Sequence, residues 1–348
     1  MPLTPRPIVS IGAGGIVHDA HLPAYKKAGF ELEAIYDLDA EKAKALAAQF
    51  GVKRVYGSLS KIISESSNNA VYDVAVPAAA TLGVLEALPD NAIVLMQKPM
   101  GNTLEEAEAI QALVEAKSLT AAVNFQLRFA PYVLAARSLI EQGAIGDLHD
   151  MEVRVTVYTP WHLWSFLETL PRMEILYHSI HYLDLVRSFL GEPQGVYAKT
   201  IKHPKLPKLA SSRSTMMLDY GDTVRATIST NHSHEFGLKH QESYIKWEGT
   251  KGAIKATMGL LLNYPEGEPD TLEYCLLKEN VPPTWTSVPL EGSWFPDAFI
   301  GTMSSLMRFA EGSDANLPTV SHNALKTMQL VDAAHRSSDA GGVSVDLA

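Results

Sequence analysis

Lys98 follows the apolar run Ala92-Ile-Val-Leu-Met96 and precedes Pro99, which puts it at the end of an expected strand. His181 lies in a stretch of helical character, with His178 three residues and Tyr177 four residues before it. A lysine ammonium polarises an alcohol or carbonyl oxygen, and an imidazole takes or returns a proton near neutral pH. Such a pair suits the oxidation of a secondary alcohol, which needs a base for the hydroxyl proton and a hydride acceptor facing the carbon. Tyr177 adds a phenol able to donate and accept a hydrogen bond, but its reference pKa of about 10 makes it a poor base unless Lys98 perturbs it. The plainer readings are a solvated loop lysine and a satisfied core histidine.

Glu174, His178 and His181 stand at i, i+4 and i+7 and would share one helix face. That spacing also suits a metal, so a metal-assisted isomerase or lyase is a competing chemistry. An acidic residue near a helix start, after Pro171, equally complements the helix dipole. No metal is assigned, and His178 is expected in the substrate pocket beside Tyr177.

The hydride acceptor is indicated near the N-terminus. Ile8-Val-Ser-Ile-Gly-Ala-Gly-Gly-Ile-Val17 reads as a buried strand and a glycine turn, with a helix following over His18–Lys27. Gly12, Ala13, Gly14, Gly15 and Ile16 would form a pyrophosphate cradle, because backbone N–H groups and the positive helix end face the anion. The third glycine of the usual fingerprint is replaced by Val17. The strand Phe30–Tyr36 then ends at Asp37, at the separation expected of the carboxylate that holds the adenosine ribose hydroxyls. A carboxylate there repels the 2′-phosphate of NADP, and no Arg or Lys stands beside it, so NAD is expected over NADP. Asp37 also reads as a turn or helix-capping residue, a role that Asp39 fills equally well.

The chain has 348 residues, 46% of them hydrophobic, with a net charge of -10 and a single cysteine, Cys275. This length suits two domains, and the mean hydropathy of -0.01 is that of a globular protein. The acidic balance argues against nucleic acid, and one cysteine precludes a disulfide framework. No apolar run reaches membrane-span length and Met1–Pro7 lacks a signal-peptide core, so a cytoplasmic location is expected.

Strands and helices alternate through the first third. Helices are expected over Asp39–Phe50, Thr81–Leu88 and from the capping signature Thr103-Leu-Glu-Glu106 to Lys117. Strands are expected over Val71–Val76, stopping at Pro77, over Ala92–Met96 and over Leu119–Asn124. This alternation implies a doubly wound parallel sheet, whose ligands sit at the carboxyl ends of the strands. Gly12, Asp37, Pro77, Lys98 and Asn124 all fall at such ends and point to one crevice. The rest reads as α+β: a helix over Pro131–Gln142, a long strand Asp147–Tyr158 and a helix Glu174–Leu190. Strands follow over Gly195–Ile201, Ser214–Leu218, Thr223–Thr230, Glu242–Trp247 and Ala253–Thr257, with late helices at Phe295–Ala310 and His322–Ser337. Short connections between consecutive strands indicate a mostly antiparallel open sheet. The expected division is an NAD-binding Rossmann domain over 1–123 and an α+β substrate domain over 124–348. The helix at about 322–337 is expected back on the first domain, with the active site between the two.

The chain resembles the glucose–fructose oxidoreductase / inositol dehydrogenase / rhizopine catabolism (Gfo/Idh/MocA) family. The resemblance rests on Ile11-Gly-Ala-Gly-Gly-Ile16 with His21-Leu-Pro-Ala24, on Lys98-Pro99, and on Asn124 with Arg128-Phe129 and Pro131. It extends to Ile180-His181-Tyr-Leu-Asp184 leading to Leu190-Gly-Glu-Pro193. It implies NAD(P)-dependent oxidoreduction of sugars, cyclitols or related polyols, and an open sheet that forms an oligomer interface in a dimer or tetramer. Two positions depart from the pattern. Gln97 stands where Glu is usual, implying an uncharged contact near the nicotinamide ribose, and Tyr177 stands where an Asp usually precedes the catalytic His181. Arg128 is implied at the substrate.

Further substrate contacts are expected from Trp161 and Trp164, whose planes suit the C–H faces of a sugar, although ordinary loop packing explains them equally. Arg172 is a candidate for an anionic substrate group or for pairing with Glu168 or Glu174. Asn231-His-Ser-His-Glu235 is polar and follows a strand, a candidate pocket lining. The expected activity is hydride transfer between NAD and a hydroxyl or keto carbon of a sugar, cyclitol, sugar acid or glycoside. The rival readings are redox-neutral chemistry through a keto-sugar, with the cofactor permanently bound, and a non-catalytic sugar sensor.

Overall fold

A computed structural model describes residues 1–345. Strands β1 (Ile8–Ile11), β2 (Leu32–Tyr36), β3 (Arg54–Tyr56), β4 (Val71–Val74), β5 (Ile93–Met96) and β6 (Thr120–Val123) alternate with helices. These are α1 (Leu22–Ala28), α2 (Ala40–Phe50), α3 (Leu59–Glu65), α4 (Ala78–Ala87) and α5 (Leu104–Ala116). Next come α6 (Pro131–Glu141), β7 (Leu148–Thr156) and α7 (Ile180–Leu190). The strands β8 (Gly195–Ile201), β9 (Arg213–Asp219), β10 (Arg225–Asn231), β11 (Glu242–Gly249), β12 (Gly252–Thr257), β13 (Thr271–Leu276) and β14 (Thr286–Ser287) follow. Helices α8 (Asp297–Ala310) and α9 (Ser321–Ala340) come last. Two compact units result: the first takes 1–130 and Ser293–Met328, the second 131–292 and the chain from Gln329 on.

In the first unit the strands form a parallel six-stranded sheet in the order β3-β2-β1-β4-β5-β6. Every residue of β1 and β4 is buried, as expected of strands covered by helices on both faces. Asp39 opens α2 by accepting from the Glu41 and Lys42 N–H groups, and Gly51 closes it in the left-handed conformation. Thr103 Oγ1 caps α5 through the Glu106 N–H at 3.2 Å, while the Glu106 carboxylate reaches back to the Asn102 N–H at 2.7 Å. Ile8, Leu22, Tyr25 and Leu95 share one core with Phe299, Met303, Leu306 and Met307 of α8. The short strand β3, with Arg54 and Val55 exposed, and helix α3 carry too little periodicity to be read from sequence. Helix α4 begins three residues before its expected start, directly after Pro77.

The second unit holds an eight-stranded sheet ordered β14-β13-β12-β11-β7-β10-β9-β8. Its pairs are antiparallel except β7 with β10, which run parallel. Residues alternate between buried and partly exposed along β9 and β11. Met216, Leu218, Ile228, Ile245, Trp247 and Ile254 turn inward, and Trp247 packs 5.4 Å from Phe189 of α7. Strands β13 and β14 were not expected from the sequence. The expected single helix over Glu174–Leu190 divides into a π turn, Ile175–Ser179, and α7; likewise α1 is preceded by a π turn, Val17–His21. Among the described residues no helix is long and apolar enough to cross a membrane.

Candidate active site

The glycine turn runs tight against β4. A Cβ on Gly12, where φ is +116°, would sit 2.2 Å from the Ala75 carbonyl oxygen, so only glycine fits there. A Cβ on Gly14 would meet nothing within 4 Å. Gly14 and Gly15 are exposed and Ile16 is partly so, leaving the open side of the turn and the helix start beyond it free for an anion. Asp37 stands just past β2 and accepts from the Ala13 N–H at 2.7 Å and the Asp39 N–H at 2.8 Å. Asp39 is the helix cap, so Asp37 is held against the glycine turn instead. These residues fit a dinucleotide: space beside the turn for the pyrophosphate and a fixed carboxylate for a ribose.

On the other side of β1, backbone bonds carry β5 and β6 one residue further. The Gln97 N–H donates to the Val74 carbonyl and the Asn124 N–H to the Met96 carbonyl, each at 2.8 Å. Gln97 and Lys98 thus stand at the carboxyl end of β5, Asn124 at that of β6, and Pro77 is exposed after β4. Asn124 is fully buried, and its Nδ2 donates to Gln97 Oε1 at 3.1 Å and lies 3.2 Å from His21 Nε2. His21 Nδ1 in turn lies 2.8 Å from Asp73 Oδ2, both side chains having no exposure. Sequence reasoning placed His21 in a motif but gave it no task, and it did not single out Asp73, a charged residue inside the strand Val71–Val74. Burial pushes the Lys98 ammonium down to about 8, so Lys98 can hold or release a proton near neutral pH.

In the second unit, His181 is 8% exposed on the first turn of α7. Tyr177 packs on a small apolar cluster of Leu167, Met173 and Leu209, its ring 6.0 Å from Phe166. His178 lies 4.8 Å from His232 and 5.1 Å from Trp161, and Trp161 is 5.7 Å from His232. Beneath them Glu174 is wholly buried, accepts from Ser179 Oγ at 2.7 Å and pairs with His232 Nε2 at 3.3 Å. Burial alone would raise the Glu174 carboxyl. The hydrogen bond and charge of His232 outweigh it, with help from the Ser214 and Ser179 hydroxyls, and hold it below its ordinary value. Thr159 Oγ1 reaches His232 Nδ1 at 3.1 Å. The polar run after β10 thus supplies His232 to the His178 cluster. Glu174 is taken up by Ser179 and His232, and among the described residues no group of three His, Cys, Asp or Glu could hold an ion.

Other residues expected at the substrate have partners within the protein. Arg128 is buried, and its guanidinium donates to the Pro318 carbonyl at 3.0 Å and Asn323 Oδ1 at 3.2 Å, which ties the residues after β6 to the start of α9. Arg172 forms an exposed ion pair with Asp339 at 2.8 Å rather than with Glu168 or Glu174. The Trp164 ring lies 5.8 Å from that of Tyr264, tilted by 47°.

The profile of an oxidoreductase family with NAD-binding Rossmann fold matches residues 7–125, and that of the Gfo/Idh/MocA C-terminal domain matches residues 133–255. The chain belongs to the Gfo/Idh/MocA oxidoreductase family. Its relatives include a D-apiose dehydrogenase of Rhizobium rhizogenes, 24% identical over 92% of this chain and 91% of that protein. A D-xylose 1-dehydrogenase (NADP(+)) of Haloferax volcanii is 24% identical over 71% of this chain and 74% of its own. An oxidoreductase from Agrobacterium radiobacter, solved with NAD+, L-tartaric acid and magnesium, superposes with a TM-score of 0.79. That match is 23% identical and covers 97% of each chain. The Gfo/Idh/MocA assignment agrees with the parallel sheet, the glycine turn and the second, mostly antiparallel sheet.

Proposed function

We propose that the protein is an NAD-dependent dehydrogenase acting on a hydroxyl carbon of a small carbohydrate-like substrate. The observation that carries this reading is Lys98: it stands at the carboxyl end of β5, and burial sets its ammonium at about 8, where it can exchange a proton with an alcohol oxygen. When bound, the nicotinamide ring supplies the hydride acceptor. Gly12–Ile16 cradle the pyrophosphate, and Asp37 holds the adenosine ribose and disfavours a 2′-phosphate, although the Haloferax volcanii relative is named for NADP. Lys98 and His181 are the acid–base groups for the hydroxyl proton, and Tyr177 supports His181. Trp161 and His178 offer the ring faces for a sugar. Sugar dehydrogenases among the relatives favour aldoses, with pentoses first.

The test is growth of the NADH absorbance band on mixing protein with NAD or NADP and a panel of aldoses, inositols, sugar acids and glycosides. Turnover of one class with NAD supports the reading. NAD binding with a silent panel would replace it with the redox-neutral or sensor alternative, and faster turnover with NADP would overturn the cofactor assignment.

A further inference from the structure

We propose that His21 and Asp73 are positioning residues for the cofactor site: through Asn124 they fix the Gln97 side chain so that its amide N–H groups face the nicotinamide half of the dinucleotide. The inference rests on the NAD binding proposed above.

The polarity of the network follows from one carboxylate. Asp73 accepts only, so the bond at 2.8 Å places a proton on His21 Nδ1, and in the neutral imidazole that leaves Nε2 bare. A bare Nε2 takes an N–H from Asn124 Nδ2 at 3.2 Å, and the second N–H of that nitrogen goes to Gln97 Oε1 at 3.1 Å. Reversing the Asn124 amide would set its oxygen against two acceptors. Reversing the imidazole tautomer as well would set a bare Nδ1 against the Asp73 carboxylate. With His21 neutral the whole chain therefore has one orientation, although Asn124 Oδ1 is left buried with no partner among the described residues.

Gln97 is the only member of the four that is partly exposed, and its acceptor is already spent inward. What remains for a ligand is its Nε2, a donor. The sheet order β3-β2-β1-β4-β5-β6 says which end of a ligand meets it. A dinucleotide crossing the β1 turn with its adenosine ribose at Asp37, after β2, lays its nicotinamide half over β4, β5 and β6. His21 is held from behind by Phe299 at 5.1 Å and Tyr25 at 6.0 Å, which restricts its ring to this pose.

The experiment measures NADH and ADP binding by the wild type and by His21→Leu, His21→Gln and Asn124→Asp, with the wild-type His21 tautomer read by 15N NMR. ADP lacks the nicotinamide half, so a general loss of fold weakens both ligands and a loss of positioning weakens NADH alone. We expect His21→Leu to weaken NADH about tenfold and to leave ADP within about twofold, the loss of one net hydrogen bond. His21→Gln, whose amide oxygen can still accept from Asn124, should recover most of the NADH affinity. Asn124→Asp forces Gln97 to turn its nitrogen inward and should act like His21→Leu, which preserves the test if the Leu variant does not fold. Parallel loss of NADH and ADP in both variants, unchanged NADH binding, or a proton on Nε2 in the wild type would each overturn the inference alone. A wild type that binds no NADH would overturn the functional reading and this inference with it.

Discussion

Lys98 concentrates the chemistry in one titratable atom. An ammonium with an ordinary pKa stays charged at pH 7 and cannot serve as a base, whereas burial brings this one to about 8. Alcohol oxidation needs the neutral amine to receive the proton, so kcat/KM for oxidation should rise with pH through about 8 and level off above it. Carbonyl reduction needs the ammonium and should fall over the same range. A pH profile of both directions checks the sign, and a profile that is flat between pH 7 and 9 would exclude Lys98 as the titrating group. Lys98→Met should leave NADH binding intact while lowering turnover by about 10²–10⁴-fold, the usual contribution of a general acid–base group. At Asp37 the prediction concerns selectivity: Asp37→Ser removes a carboxylate held by the Ala13 N–H and should shift the NAD-to-NADP preference by about 10–100-fold, read from the two kcat/KM values. The place of Asp37 at the end of β2, against the glycine turn, was legible in the sequence because strand and turn signals agree there. Arg128 was not: its bonds to Pro318 and Asn323 join residues almost two hundred apart, and no local pattern reveals them.

A π turn precedes each of α1 and α7: Val17–His21, which itself carries His21, and Ile175–Ser179, directly ahead of the helix that carries His181. A reading at 3.6 residues per turn puts Glu174, His178 and His181 on one face. The wider turn adds a residue, so Glu174 instead meets Ser179, five residues on, and the polar run after β10 provides its counter-charge, His232. Periodicity located the segment correctly but could not show the insertion, because nothing in Ile175-Leu-Tyr-His-Ser179 distinguishes a π turn from an α turn. The buried pair gives this element a pH signature. Glu174 has its carboxyl below the ordinary value of 4.5, so its contribution to stability is present above that value and is lost as pH falls through the lower folded one. Wild-type stability should therefore decline below pH 4.5, and Glu174→Gln should flatten that decline in chemical denaturation at stepped pH. His232→Phe leaves the carboxylate buried without its partner and should cost about 3–5 kcal/mol at neutral pH. A loss under about 1 kcal/mol would show that Ser179 and Ser214 suffice to hold the charge.

At the scale of the whole chain, the alternation of strand and helix up to residue 130 announces a parallel sheet, yet the unit built on it is not finished there. Residues 293–328 belong to the same compact body, and α8 supplies Phe299, Met303, Leu306 and Met307 to the core that contains Ile8, Leu22 and Tyr25. Composition could show that α8 is amphipathic, but an apolar stripe does not name the surface it covers. That surface is defined here by close approach: a Cβ on Gly301 would lie 2.5 Å from the Phe129 Cβ, so α8 sits directly on the turn that follows β6. Helix α8 is therefore expected to be an obligatory part of the nucleotide-binding body. Phe299→Ala in the full chain empties a fully buried site beside His21 and should cost about 3–5 kcal/mol in urea unfolding. It should also weaken NADH more than ADP, because the ring it removes backs His21. A fragment ending at residue 130 should show no cooperative thermal transition by near-ultraviolet circular dichroism, and one joined by a short linker to residues 293–328 should regain it. A fragment of 1–130 that melts cooperatively without α8 would show that the sheet closes its core unaided, and the role assigned here to Phe299 would then be wrong.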